Sequence, residues 1–175
     1  PTMFTGLFLG RLGVSKGIDI LIPAMDEFLR KYDDSKFELI LPQTPKKLSK
    51  KIRAELNNLK NKDRIIIHSS MTFQKLKRKI ARSSCVIVPS YSEGFGFVGV
   101  EAAAIGTPIV SSGKGALQET ISGKFIELTE LSPIALIKAL EKAKNNMWDQ
   151  KEKVNFPLDS SLIQYLEAIK SAIQD

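Results

Sequence analysis

The sequence predicts an α/β domain with a Rossmann-like, doubly wound and mostly parallel sheet of six strands and with helices on both faces of that sheet. Short apolar runs alternate along the chain with longer segments of helical periodicity, which is the order of βαβ units. The short runs are apolar throughout, as expected for parallel strands that are buried on both faces. The length of 175 residues suits one domain with a sizeable core.

Each predicted element rests on a local pattern. Six apolar runs predict the strands, over residues 4–12 (centred on 7–9), 37–41, 64–68, 85–88, 108–111 and 125–128. Amphipathic or alanine-rich segments predict the helices, over residues 18–32, 45–59, 72–83, 96–105, 118–121, 131–144 and 160–173. Thr72 can cap the third helix, and Pro133 suits the first turn of the helix over residues 131–144. Residues 145–157 are polar and are expected to be irregular.

Composition excludes several classes of site. The single cysteine, Cys85, excludes an internal disulfide, and a single histidine, His68, argues against a histidine metal site. No apolar run approaches the roughly 18 residues needed to span a bilayer. The net charge is +7, but the lysines are spread over helical segments and are interpreted as solvated helix faces. No aromatic and basic RNA-recognition motif is present, so no nucleic acid partner is expected.

The residues that follow the fourth strand are the strongest candidate site. A buried strand, a turn with Glu93 and Gly94–Phe95–Gly96, and then a helix with Glu101 form the layout of a ligand-binding βα junction. Two glycines let the backbone approach a ligand closely, and the helix start favours negative charge or hydroxyl oxygens. We expect both carboxylates to face the same crevice.

Two kinds of site share this glycine pattern. Gly94, Gly96 and Gly99 form a G-x-G-x-x-G, which is typical of dinucleotide binding. That fingerprint normally opens the first βα unit and has an acidic residue at the end of the next strand. Here it comes after three strand–helix pairs, and the next strand ends Ser111-Ser112 without an acid. The context therefore argues against NAD.

Glu93-Gly94-Phe95-Gly96 followed by Glu101-Ala102 resembles the signature of the retaining, nucleotide-sugar-dependent glycosyltransferases of family 4, also called group 1. Gly10-Arg11-Leu12 with Lys16-Gly17 resembles the family's second hallmark. The resemblance covers residues 4–128 and implies one half of a GT-B fold. Loops after several strands should then converge on one edge of the sheet.

The resemblance also implies a role for each candidate residue. Gly10, Arg11 and Lys16 match the positions that hold the donor diphosphate, and Arg11, Lys16 and Glu93 match the catalytic set. The nucleotide-sugar contacts fall on Glu101 for the ribose, on Gly94, Phe95, Gly96 and Phe97 for sugar and phosphate, and on Ser69 and Ser70 for the nucleobase. Residues 113–119 resemble the family's glycine-rich segment, which ends here in Glu119. No cofactor and no metal are implied, because the cations do the work of Mg²⁺.

The resemblance further implies that these 175 residues are the donor-binding half of a longer, two-domain enzyme. An upstream domain would bind the acceptor, a glycan or lipid-linked sugar. The donor would carry UDP as first choice and GDP as second. A cytoplasmic location, with peripheral contact of the full-length enzyme at the membrane face, is part of the same expectation. The alternatives are a sugar-nucleotide-binding domain without transferase activity and a dinucleotide-binding oxidoreductase domain.

Overall fold

The computed structural model describes residues 3–42, 46–152 and 154. The strands are β1 (Phe4–Leu9), β2 (Ser35–Ile40), β3 (Ile65–His68), β4 (Cys85–Val88), β5 (Ile109–Ser111), β6 (Gly123–Glu127) and β7 (Asp149–Lys151). The α-helices are α1 (Ile18–Lys31), α2 (Lys46–Asn57), α3 (Phe73–Arg82), α4 (Phe97–Ile105), α5 (Leu117–Thr120) and α6 (Pro133–Lys144). Short 3₁₀ turns at Val14–Lys16 and Lys62–Arg64 precede α1 and β3.

The strands form one sheet in the order β3-β2-β1-β4-β5-β6-β7. Every pair from β3 to β6 is parallel, which confirms the predicted Rossmann-like architecture. Because β1 lies between β2 and β4, the strand order reverses at β1, and the loops after β1 and β4 leave the same edge side by side. Ligands of open α/β sheets bind at such a switch point.

A buried apolar cluster lies on each face of the sheet. On one face, Phe28 of α1 and Leu136 of α6 belong to the cluster that contains Phe37 of β2. On the other face, Ile80 of α3 packs in the cluster that contains Val86 of β4. Both faces are therefore covered, and the carboxyl edge between them is left for the loops that carry the candidate site.

The expected count of six strands is wrong by one. Asp149–Lys151 pairs antiparallel with β6, inside the stretch predicted to be irregular. Asn146 takes a left-handed conformation (φ 56°) after α6 and turns the chain back toward this edge. The strand has no apolar residue, so the sequence carries no signal for it.

Two sequence predictions fall outside the described residues: the helix over residues 160–173 and the start of the helix over residues 45–59. Within the described residues, no helix is long and apolar enough to cross a bilayer.

Candidate functional site

The loops after β1 and β4 are in close backbone contact at the switch point. Gly17 has a left-handed backbone (φ 68°), and a Cβ atom there would come 2.1 Å from the carbonyl oxygen of Pro89. The Tyr91 amide donates a hydrogen bond of 2.8 Å to the Ser15 carbonyl. Only a glycine allows this approach without strain. The contact brings Lys16 beside the loop that carries Glu93.

Lys16 and Glu93 form an ion pair at this junction. Lys16 Nζ donates to Glu93 Oε1 over 2.6 Å, and Ser90 Oγ donates to the same oxygen over 2.7 Å. The Lys16 and Glu93 side chains are 30% and 13% exposed. An ammonium and a carboxylate are thus held in contact, half-buried, where the sheet order reverses.

The loop after β5 completes the support of Glu93. The Ala116 amide donates 3.0 Å to the Glu93 carbonyl, and Gly115, with φ 62°, leaves no room for a Cβ against that backbone. Ser112 Oγ donates 2.6 Å to the Ser90 carbonyl. Ser90, Ser112 and Gly115 were not among the predicted site residues. Gly115 lies in the glycine-rich segment that the family resemblance picks out, but nothing in the sequence marks the two serines.

The turn between Glu93 and α4 is open. An added Cβ on Gly94 would have no neighbour within 4 Å, whereas Gly96 caps α4 with a left-handed backbone (φ 79°) that packs on Leu117. The Phe95 and Phe97 rings lie 4.7 Å apart, and Phe97 is 69% exposed. The turn therefore leaves open space at Gly94, beside Glu93 in the chain, and an exposed aromatic ring at Phe97.

Glu101 lies in a separate groove. It shares an apolar groove of about 440 Å³, between α3 and α4, with Phe73 and Leu76. Burial raises the pKa of the Glu101 carboxyl, and the described part of the chain gives it no hydrogen-bond or ion-pair partner. Among the described residues, no hydrogen bond or ion pair joins Glu101 to Lys16 or Glu93. Within the described residues, the carboxylate is therefore desolvated and unpaired in the α3–α4 groove.

The remaining predicted residues occupy different parts of the edge. The Gly10 amide donates 3.1 Å to the Ile40 carbonyl, and the next residue, Arg11, is exposed in the loop after β1. Ser69 and Ser70 line a second groove, on the opposite flank of α3 from Glu101. The structure thus brings Lys16 and Glu93 together, and it does not bring the serines to Glu101.

No cluster of three or more His, Cys, Asp or Glu side chains that could hold a metal ion occurs within residues 3–42, 46–152 and 154. Burial raises the pKa of the Cys85 thiol to about 12, so this side chain is a core residue and not a nucleophile. The ligand roles of the predicted site residues stay predictions.

Comparisons with known proteins identify what the chain resembles. Residues 1–172 match the family described as Family 4 Glycosyltransferase in conflict systems. An uncharacterised glycosyltransferase of Methanocaldococcus jannaschii is 33% identical over 151 residues, which are 85% of this chain and 36% of the relative.

Two solved structures share the fold. HepE from Anabaena, in complex with UDP and glucose, superposes with a TM-score of 0.72 at 20% identity, over 83% of this chain and 39% of its own. The catalytic domain of starch synthase IV from Arabidopsis thaliana, bound to ADP and acarbose, gives a TM-score of 0.76 at 17% identity, over 100% of this chain and 39% of its own. The chain spans little more than a third of the length of these proteins. At these identities the two structures establish the fold, which is that of a GT-B half-domain.

Proposed function

This chain belongs to the family 4 glycosyltransferases in conflict systems, and on that premise we propose that it binds the nucleoside-diphosphate sugar of a retaining glycosyl transfer. The observation that carries the proposal is the Lys16–Glu93 ion pair at the switch point, with Arg11 in the same loop as Lys16. The Lys16 ammonium and the Glu93 carboxylate are in contact where ligands of such sheets bind, and Arg11 is exposed five residues before Lys16 in the same loop.

The chemistry of the two cations suits a diphosphate. Breaking the bond between the sugar and the nucleoside diphosphate builds negative charge on the departing phosphate, and fixed cations stabilise that charge. Arg11 supplies a planar fork of donors and Lys16 a point charge. Lys16 Nζ lies 2.6 Å from Glu93 Oε1. When the diphosphate takes over the Lys16 ammonium, the Glu93 carboxylate becomes available to the hydroxyls of the transferred sugar.

The α3–α4 groove suits the nucleoside. The resemblance assigns the base to Ser69 and Ser70, which line the groove on the other flank of α3. We propose instead that the base packs against the apolar side chains of Phe73 and Leu76, beside Glu101, whose carboxylate lacks a donor in the described part of the chain. The two ribose hydroxyls would supply such donors, and hydrogen bonds to an ionised acceptor are the stronger kind. Residues Gly94–Phe97 lie between Glu93 and Glu101 along the chain, and we propose that their amides donate to phosphate and sugar oxygens.

The proposal also covers the base of the donor and its metal requirement. One similar fold carries UDP and another carries ADP, so the fold accepts more than one base. We propose UDP first and GDP second. Binding requires no metal in this account, because Arg11 and Lys16 provide the positive charge that Mg²⁺ supplies elsewhere.

We further propose that these residues form the donor half of a two-domain GT-B enzyme whose other half holds a glycan or lipid-linked acceptor, at the cytoplasmic face of a membrane. The partial coverage of the relatives supports this division. Holding an acceptor oxygen in attacking position supplies about 7–11 kcal/mol of the barrier. The chain by itself should therefore bind donor but transfer sugar slowly.

Calorimetric titration of the chain with UDP, GDP, ADP and NAD in EDTA tests the proposal. We expect a nucleoside diphosphate to bind and the Arg11→Gln/Lys16→Gln variant to lose that binding. The control variant, Lys138→Gln, removes an exposed charge from α6 and should bind as the parent does. Preferential binding of NAD, or equal binding by the Arg11→Gln/Lys16→Gln variant, would contradict it.

A further inference from the structure

We propose that the chain has a second anion site, which binds a small free ligand with two or more phosphate groups, in the groove between α3 and the β2–β3 edge of the sheet. This cationic groove is defined by Lys36, Lys75, Arg78, Lys79 and Arg82, with Glu38 and His68 at its floor. It contains none of Arg11, Lys16, Glu93 or Glu101. Ser69 and Ser70, which the family resemblance assigns to the nucleobase, also line this groove. Because the proposed function places the base in the α3–α4 groove, the cationic groove is distinct from that donor site, and this inference rests on the proposed function.

The charge in the cationic groove is far from balanced. Five Lys or Arg side chains line it against one carboxylate, an excess of four positive charges apart from His68. Lys75, Arg78, Lys79 and Arg82 follow the i, i+3, i+4, i+7 spacing of one helix face. Like charges at this spacing destabilise a helix. A ligand that carries several negative charges would remove the repulsion.

Glu38 satisfies only part of this charge. Its side chain is 6% exposed and bonds to three partners: Lys79 Nζ, Lys36 Nζ at 3.3 Å and His68 Nε2 at 2.9 Å. Its two oxygens are therefore already used. Within the described residues, Lys75, Arg78 and Arg82 have no carboxylate partner, so they are left for a ligand.

The shape of the groove indicates the size of the ligand. The cavity is about 650 Å³, within the usual range for small-molecule sites. The stripe from Lys75 to Arg82 spans roughly 10 Å of helix, at about 1.5 Å per residue, which is long enough for two or three phosphates and short for a nucleic acid. The two arginines can each offer a fork of donors to a phosphate.

Calorimetric titration with inorganic diphosphate separates this site from the donor site. In the Arg11→Gln/Lys16→Gln background, which removes the proposed rim site, we expect one diphosphate to bind. Adding Arg78→Gln and Arg82→Gln should weaken that binding by about tenfold or more for each arginine, since each loses charge-assisted hydrogen bonds. Adding Lys138→Gln, a charge loss on α6, should change the affinity less than about twofold.

Three results would overturn the proposal. The first is loss of all diphosphate binding in the Arg11→Gln/Lys16→Gln background alone. The second is unchanged affinity after Arg78→Gln and Arg82→Gln, with folding confirmed by thermal melting. The third is binding of a short single-stranded oligonucleotide, or of vesicles rich in anionic phospholipid, through Arg78 and Arg82 without binding of free diphosphate, which would assign the groove to a polymer or a membrane.

Discussion

Replacing Glu101 with glutamine should stabilise the free chain while it weakens nucleotide binding. Burial in the α3–α4 groove raises the pKa of Glu101 above its ordinary value of 4.5 in the folded chain. An acid with a raised folded pKa reduces stability at every pH above its unfolded pKa, because the unfolded chain ionises it more easily. Glutamine removes that penalty. We therefore expect a higher melting temperature at pH 7, with the gain vanishing as the pH falls below about 4.5.

The same substitution of Glu101 should weaken nucleotide binding. Hydrogen bonds from ribose hydroxyls to an ionised carboxylate are each worth about 1.5–3 kcal/mol. Glutamine keeps one acceptor oxygen but no charge, so the loss should fall near the low end, about tenfold in Kd. Alanine removes both oxygens and should reach the upper end, on the order of 100-fold.

Thermal melting measures the change in stability, and calorimetry of the same preparations measures the change in nucleotide affinity. Glu55→Gln removes an exposed carboxylate from α2 and is the matched control, for which neither quantity should change appreciably. Equal nucleotide affinity of the parent chain and the Glu101 variants would refute the ribose role. A lower melting temperature for Glu101→Gln would refute the account of Glu101 as an unpaired, desolvated charge.

Three further predictions concern the supporting structure and the donor. Burial alone would raise the pKa of Glu38, but hydrogen bonds from Lys79 and His68 outweigh it and lower the pKa to about 2. The Glu38→Gln variant should therefore lose up to about 3 kcal/mol of unfolding free energy at pH 7, and this loss should shrink as the pH falls from 4.5 toward 2. A loss that does not depend on pH would contradict the prediction. Gly17→Ala should lose about 2 kcal/mol or more in urea unfolding because of the clash with Pro89, whereas Gly94→Ala, with open space around it, should lose under about 0.5; equal losses would disprove the close approach. EDTA should leave nucleotide binding, measured by calorimetry, unchanged. Loss of binding in EDTA would show that the site requires a metal ion.

The apolar strands and the amphipathic helices were predictable because burial on both faces of a parallel sheet leaves a continuous apolar run. The strand Asp149–Lys151 was not predictable from the sequence, because an edge strand of polar residues forms through its pairing with β6 and not through a pattern of its own. The prediction of six strands failed at this edge for that reason.

For the candidate site, the motif identified Lys16 and Glu93, and the structure places them in contact. Their supports, Ser90 and Gly115, depend on loops that meet only in the folded chain. The lysines of α3 were interpreted as a solvated face. Their helical spacing is visible in the sequence, but the buried Glu38 that contacts Lys79 is one strand–helix unit earlier, 41 residues away, and carries no local signal.

Amide NMR of the 175-residue chain, titrated with the nucleotide that binds best in EDTA, tests the central claim most directly. The account predicts that saturable shifts concentrate at Lys16–Gly17, at Gly94–Phe97 and around Glu101, and that Arg11→Gln/Lys16→Gln abolishes them. Shifts confined to the cationic groove, or no saturable shifts with any nucleoside diphosphate, would contradict a donor site at the switch point.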